Sequence, residues 1–336
     1  MHSLYGVENP LMDVIAHVDY AFLKRFGKNP GTMHLVEHAE IAGLLAEIRT
    51  FRTSPGGSAA NTTRGIAWLS TEAGQALRDL VLGRRGPRPS APPAPVFNGA
   101  IGRDERGDDF ASRIADAGVY AALVRKDTPT GTSVILVTPD GERTMNTFLG
   151  ACRDFEVDDL DLGRLADSRV LYLTGYLWDT ENQRRAADRA AEFARADGRA
   201  ITIAFDLADP FAVRRYGEKL RAWIPGRVDV LFGNRDELAL LTGSSCEEDC
   251  VDKAMKLAPL VVMKTGDKGC IVGYDGRYEP VRGVTVKVVD TTGAGDAFAA
   301  GFLYGRLLGD SPMDCAKLAN ALAARIVSVE GCTYSA

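Results

Sequence analysis

The stretch VVDTTGAGDAFAAGFLYG (288–305) holds the residues best suited to chemistry in this 336-residue chain. An extended run ends near Val289, a Gly-rich turn follows, and Asp296 opens an apolar helical pattern. The first turn of a helix leaves backbone N–H groups without intrahelical partners, and its dipole favours negative charge. Gly293 and Gly295 let the backbone approach an anion closely, and Ala294 adds little bulk. The amides of residues 293–296 can therefore cup a developing phosphoryl charge. Asp296 stands at the same spot, where it could take the proton of an attacking hydroxyl. The same letters would also describe an aspartate that caps a helix after a flexible turn. The strand–turn–helix context of the whole string favours the chemical reading. Gly301 and Gly305, four residues apart, would let this helix pack tightly on a sheet.

A sheet must position such a turn. VLYLTG (170–175), ITIAFDL (201–207), VDVLFGN (228–234) and LVVMKTG (260–266) read as buried strands. Helical patterns lie between them, over 181–197 and from Arg235 onward. This alternation predicts an α/β fold, a mostly parallel sheet with helices on both faces, whose ligands bind at the carboxyl ends of the strands. Two stretches break the rhythm. Residues 119–150 contain T-x-V-x-L and the turn Pro139-Asp140-Gly141, which predicts a hairpin, and residues 14–52 lack a βαβ pattern. Together they are expected to form a small accessory β-sheet, a lid over one edge of a single domain spanning 1–336. The Pro- and Gly-rich segment 83–95 reads as an extended surface loop.

DTTGAGDAFAAGF looks like the C-terminal signature of the ribokinase-like, or PfkB, carbohydrate and nucleoside kinases. PGGSAANTTRGIAWLS (55–70) matches the same family's N-terminal Gly-Gly signature, in the right order, and the resemblance runs from ENPLMDV (8–14) to the last helix. The resemblance implies an ATP-dependent phosphotransferase with Asp296 as base and Gly293, Ala294 and Gly295 as anion hole. It implies that Asn234 and Glu237, in GNRDE, organise Mg²⁺ and phosphates, an N-x-x-E that helix starts also favour. Thr265 and Gly266, in KTGDKG, match positions near the ATP phosphates and ribose, although Gly266–Gly269 could equally be a hairpin turn. Asn320 is similar to a residue close to the adenine. Asp13 matches an aspartate that grips vicinal sugar hydroxyls, a task suited to a two-oxygen acceptor. Gly56, Gly57 and Asn61 would complete that pocket, and Arg143 resembles a lid arginine that reaches the transferred phosphoryl. Relatives with a Gly-Ala-rich tail hold a monovalent cation such as K⁺ beside the anion hole. Here VEGCTYSA puts Cys332 in that region.

Within the family, ENPLMDVIAHVDYAFLKRF, LTGYLWD, FDLADPFAVRR and LFGNRDELALLTG are similar to adenosine kinases, which implies 5′-phosphorylation of a ribonucleoside. A free-sugar kinase of ribose or fructose type is the alternative. A non-catalytic nucleoside- or sugar-binding regulator would have lost the base, the glycines or the N-x-x-E acid, and none is lost. Composition is consistent with an enzyme of this kind, at 46% hydrophobic and 25% charged residues. A net charge of -5 gives no reason to expect nucleic acid or an anionic membrane as partner. No run reaches the ~20 apolar residues of a membrane helix, and the N-terminus lacks the pattern of a signal peptide. The six cysteines have neither the spacing of a zinc set nor a disulfide framework. The expectation is a cytoplasmic enzyme, monomer or homodimer, acting on a small molecule.

Overall fold

Runs of apolar β-formers become central strands here because helices cover both of their faces. The computed structural model describes residues 1–196 and 198–334. The last residue of the expected 181–197 helix and the final two of VEGCTYSA lie outside the described residues. In chain order the strands are β1 (His2–Val7), β2 (Leu11–His17), β3 (Met33–Leu35), β4 (Arg52–Gly56), β5 (Val96–Gly102), β6 (Tyr120–Lys126) and β7 (Gly131–Val137). They continue as β8 (Arg143–Phe148), β9 (Ser168–Thr174), β10 (Thr202–Asp206), β11 (Val230–Asn234), β12 (Leu260–Lys264), β13 (Gly269–Tyr274) and β14 (Arg277–Arg282).

The main sheet has nine strands in the order β14-β13-β12-β11-β10-β9-β1-β5-β6. From β12 to β6 every neighbour is parallel, and β13 and β14 add an antiparallel edge. Successive residues serve opposite faces, as strand geometry requires. Leu4, Phe97, Tyr172 and Phe232 enter the core under one helical layer, while Tyr5, Leu171, Phe205 and Leu231 enter the core on the other side. Each such side chain contributes about 1.5–3 kcal/mol of burial. The second sheet has five strands, β3-β8-β7-β2-β4, and its own small core of Val14, Phe22, Leu23, Ile41, Leu44, Val134 and Leu136.

The four expected buried strands are β9 to β12, and the Pro139-Asp140-Gly141 turn joins the antiparallel pair β7 and β8. Three details differ from expectation. Residues 120–126 join the main sheet beside β5, because the helix Glu105–Asp116 makes a β5–helix–β6 crossover of the kind that yields parallel neighbours. Only β7 and β8 of the 119–150 stretch belong to the small sheet. No strand precedes Asp290. The chain leaves β14 at Arg282, and Val288 and Val289 are 58% and 57% exposed, with the Val289 N–H donating to the Val327 carbonyl at 2.7 Å. Gly301 and Gly305 face a helix rather than the sheet. A Cβ on Gly301 would stand 2.7 Å from Ala319 Cα, and one on Gly305 2.8 Å from Cys315 Sγ, both on the helix Pro312–Val327.

Candidate active site

The carboxyl ends of the parallel strands carry polar residues because the apolar run stops there and the chain turns away. Glu8 follows β1, Asp206 ends β10, Asn234 ends β11 and Lys264 ends β12. Together with the start of the helix Ala294–Leu307 they border a cavity of about 600 Å³ whose opposite wall is the five-stranded sheet. Asp13, Gly57, Asn61, Arg143, Asn234, Glu237, Gly266, Gly293, Gly295 and Asp296 all line it. Ten residues picked from separate parts of the sequence thus meet in one space.

Asp296 lies in the first turn of its helix and is enclosed by donors. Ser58 Oγ donates to its Oδ1 at 2.7 Å and Asn61 Nδ2 to its Oδ2 at 2.9 Å. Burial pushes its carboxyl up, the two side-chain donors pull it back, and Asp206 raises it further. Asn61 therefore touches the carboxylate directly as well as lining the pocket. Gly293 has φ 72° and precedes the helix, and a Cβ there would overlap Cys332 Sγ. Only glycine meets both constraints cheaply. The Ala294 N–H already donates to the Thr291 carbonyl at 3.2 Å, so the turn's open amides are those of its neighbours.

Across the cavity, Asp13 projects from β2 over Gly56, where any Cβ would overlap its carboxylate. Burial pushes Asp13 up to about 7, against the pull of Arg64 and Arg143. Gly57, with φ 93°, precedes the helix Ser58–Leu69 and passes close to the Asn9 carbonyl. Glu8 accepts from the Ala59 N–H at 2.8 Å and from Thr174 Oγ1 at 2.5 Å, and burial pushes it up to about 8. Arg143 extends from β8 to pair with Asp290, at the head of the Gly-rich loop. Asp290 also accepts from the amides of Thr292 at 2.6 Å and Gly331 at 2.7 Å. A K⁺ ion beside Asp290 would have to share that carboxylate with a guanidinium and two amides. The Asp290 carboxylate, already shared in this way, does not fit a cation cage.

Asn234 and Glu237 form a reciprocal capping box on the helix Arg235–Thr242. Glu237 accepts from Asn234 N and Nδ2, each at 2.7 Å, and returns its own N–H to Asn234 Oδ1 at 2.8 Å. Burial pushes the Glu237 carboxyl up, with Lys264 acting against it. Each carboxylate oxygen can accept one further hydrogen bond, and Asn234 and Glu237 both border the cavity, so this pair suits a Mg²⁺ ion held through water. Thr265 lies in the β12–β13 turn and, with Gly266, borders a second cavity of about 270 Å³. KTGDKG is therefore a turn at the rim of that cavity. Asn320 lines neither cavity. Its Nδ2 donates to the carbonyls of Val281 at 3.3 Å and Arg282 at 3.1 Å, fixing the end of β14 to the helix Pro312–Val327.

Glu8, Ser58, Asp206, Lys264 and Asp290 complete the site and were not singled out in the sequence. Asp206 and Lys264 each end an apolar strand run, so the strand-end rule would have found them.

The chain matches the model of the pfkB family of carbohydrate kinases over residues 32–336. An adenosine kinase from Sinorhizobium meliloti is 32% identical, with a TM-score of 0.84, and the match covers 98% of this chain and 95% of that one. A probable sugar kinase from Rhizobium etli CFN 42 is 31% identical, with a TM-score of 0.85, covering 98% and 94%. An adenosine kinase from Dictyostelium discoideum is 26% identical over 98% of this chain and 95% of its own. The two sheets, their strand order and the matched family agree, and this ribokinase-like chain belongs to the PfkB family of ATP-dependent nucleoside and sugar kinases.

Proposed function

We propose that this kinase transfers the γ-phosphoryl group of ATP to the 5′-hydroxyl of adenosine or a close relative, in the cytoplasm. One observation carries the choice of a nucleoside. The cavity that holds Asp13 and Asp296 also has an apolar wall of Met33, Ile135, Met145 and Leu149. A free pentose would engage the carboxylates and leave that wall without a partner, whereas a flat base would cover it.

In this reading Asp13 accepts hydrogen bonds from the 2′- and 3′-hydroxyls and aims the 5′-oxygen at Asp296. The Asp296 carboxylate takes the 5′-hydroxyl proton while the oxygen attacks the γ-phosphorus. The new O–P bond forms as the bond to the bridging β,γ-oxygen breaks, leaving ADP and a 5′-monophosphate. Amides of the 293–296 turn stabilise charge on the phosphoryl oxygens. Mg²⁺, when bound, neutralises phosphate charge, and Asn234 and Glu237 would hold it through water. Closure of the small sheet excludes the water that would otherwise take the phosphoryl group.

The test is a panel of adenosine, other ribonucleosides, ribose and fructose with ATP and Mg²⁺. Adenosine should give the highest kcat/KM. A higher value for ribose or fructose would overturn the nucleoside assignment.

A further inference from the structure

We infer that Lys264 is the cation that neutralises the phosphoryl group during transfer, with Asp206 as the residue that holds its ammonium in place. The inference rests on the kinase chemistry above but not on which acceptor is used. Lys264 ends β12 directly beside Asn234 of β11. Its Nζ donates to Asp206 Oδ1 at 3.0 Å and Oδ2 at 2.9 Å, and its side chain is only 15% exposed. Asn234, Lys264 and Gly266 border both the large cavity and the smaller one behind it. Of the three, only Lys264 carries charge, so it stands at the junction that a phosphoryl group must pass between nucleotide and acceptor.

Two features of its position disfavour an ammonium, although the neighbouring acids more than offset them and hold Lys264 above the ordinary lysine range. A Cβ on Gly295 would stand 3.3 Å from Lys264 Nζ, which places the ammonium against the first turn of the helix Ala294–Leu307. Cations are disfavoured at that end of a helix dipole, and burial of an ammonium adds a desolvation cost. A phosphoryl group between the ammonium and the turn would turn both costs into attraction. A simpler role is counter-ion to the acids around it, since Asp206, Glu237 and Asp296 all act on Lys264. A counter-ion need only face those acids. Lys264 also stands where the two cavities meet.

The experiment compares wild type, K264M, K264R and the double variant K264M/D206N. Calorimetry without any acceptor measures affinity for ATP and for ADP, and steady-state kinetics use whichever acceptor the wild type phosphorylates. K264M should lower the ratio of ATP to ADP affinity by about tenfold and kcat by roughly 10²–10³, the scale of losing one preorganised charge contact. K264R should keep the affinity ratio. The double variant, which also removes the one acid hydrogen-bonded to Lys264, should fold and remain as slow as K264M. Recovery of the double variant to within about threefold of wild-type kcat would reduce Lys264 to a counter-ion and overturn the inference. So would an unchanged ATP-to-ADP ratio in K264M, or in the double variant should K264M fail to fold. A wrong choice of acceptor would leave the calorimetric result intact.

Discussion

Asp296 gains its properties from what surrounds it rather than from its own chemistry. Ser58 and Asn61 both donate to the carboxylate, which fixes its orientation and favours the charged form, while burial disfavours that form. Burial is the larger effect, so the proton is held more tightly than by an ordinary aspartate. As the proposed base, Asp296 works in its ionised form, which is lost as pH falls through this raised value. Turnover should therefore show an acid limb above the usual carboxylate range. Asp296→Asn keeps the shape and removes the proton acceptor. It should bind ATP normally, lose kcat by roughly 10² or more, and show no such limb in its residual rate. Measuring kcat against pH for both proteins, with ATP affinity as the control, decides the matter. Near-normal turnover in the variant would remove Asp296 from the role of base.

At the scale of elements, the small sheet is a separately packed unit whose own core includes Val14, Phe22, Leu44 and Val134. It meets the main body through apolar packing, with Met12 of β2 buried in the core of the nine-stranded sheet, and through polar contacts such as Arg113 to the Thr53 carbonyl at 2.8 Å. Another is the Arg143–Asp290 pair, which ties β8 to the loop that leads into the 293–296 turn. Asp290 is fixed by two backbone amides, so the moving partner is the arginine on the sheet. Exchange of this ion pair for water would free β8 from that loop and let the outer strands of the small sheet move as the proposed lid. Hydrogen exchange should show added protection over residues 131–148 and 33–56 when acceptor binds. Arg143→Ala should reduce that added protection and raise the rate of ATP hydrolysis without acceptor, because the lid then closes less often. Equal protection with and without acceptor would count against a moving lid.

Over the whole molecule, what could be read from the sequence was local and what could not was long-range. The D-T-T-G-A-G-D string sets its own turn, through Gly293, whose backbone geometry and close contact admit little else, so Asp296 and its neighbours were legible. So were the parallel strands, whose apolar runs are buried on both faces. Lys264 and Asp206 are 58 residues apart, and only adjacency through β11 brings them together. The valines before Asp290 have the composition of a strand but no neighbouring strand to pair with. Asp13 falls between these cases, because the family resemblance implied a hydroxyl clamp and only the small sheet places it opposite Asp296. That placement supports a last prediction. A buried carboxylate facing a missing hydroxyl keeps an unpaired acceptor, a loss that can discriminate strongly. Adenosine should be phosphorylated well, and 2′-deoxyadenosine and 3′-deoxyadenosine at least about tenfold less efficiently in kcat/KM. Asp13→Ala should weaken activity on adenosine and narrow the gap to both analogues, because the site then asks nothing of either hydroxyl. An unchanged gap in that variant would place the hydroxyl recognition on another residue, whichever acceptor proves best.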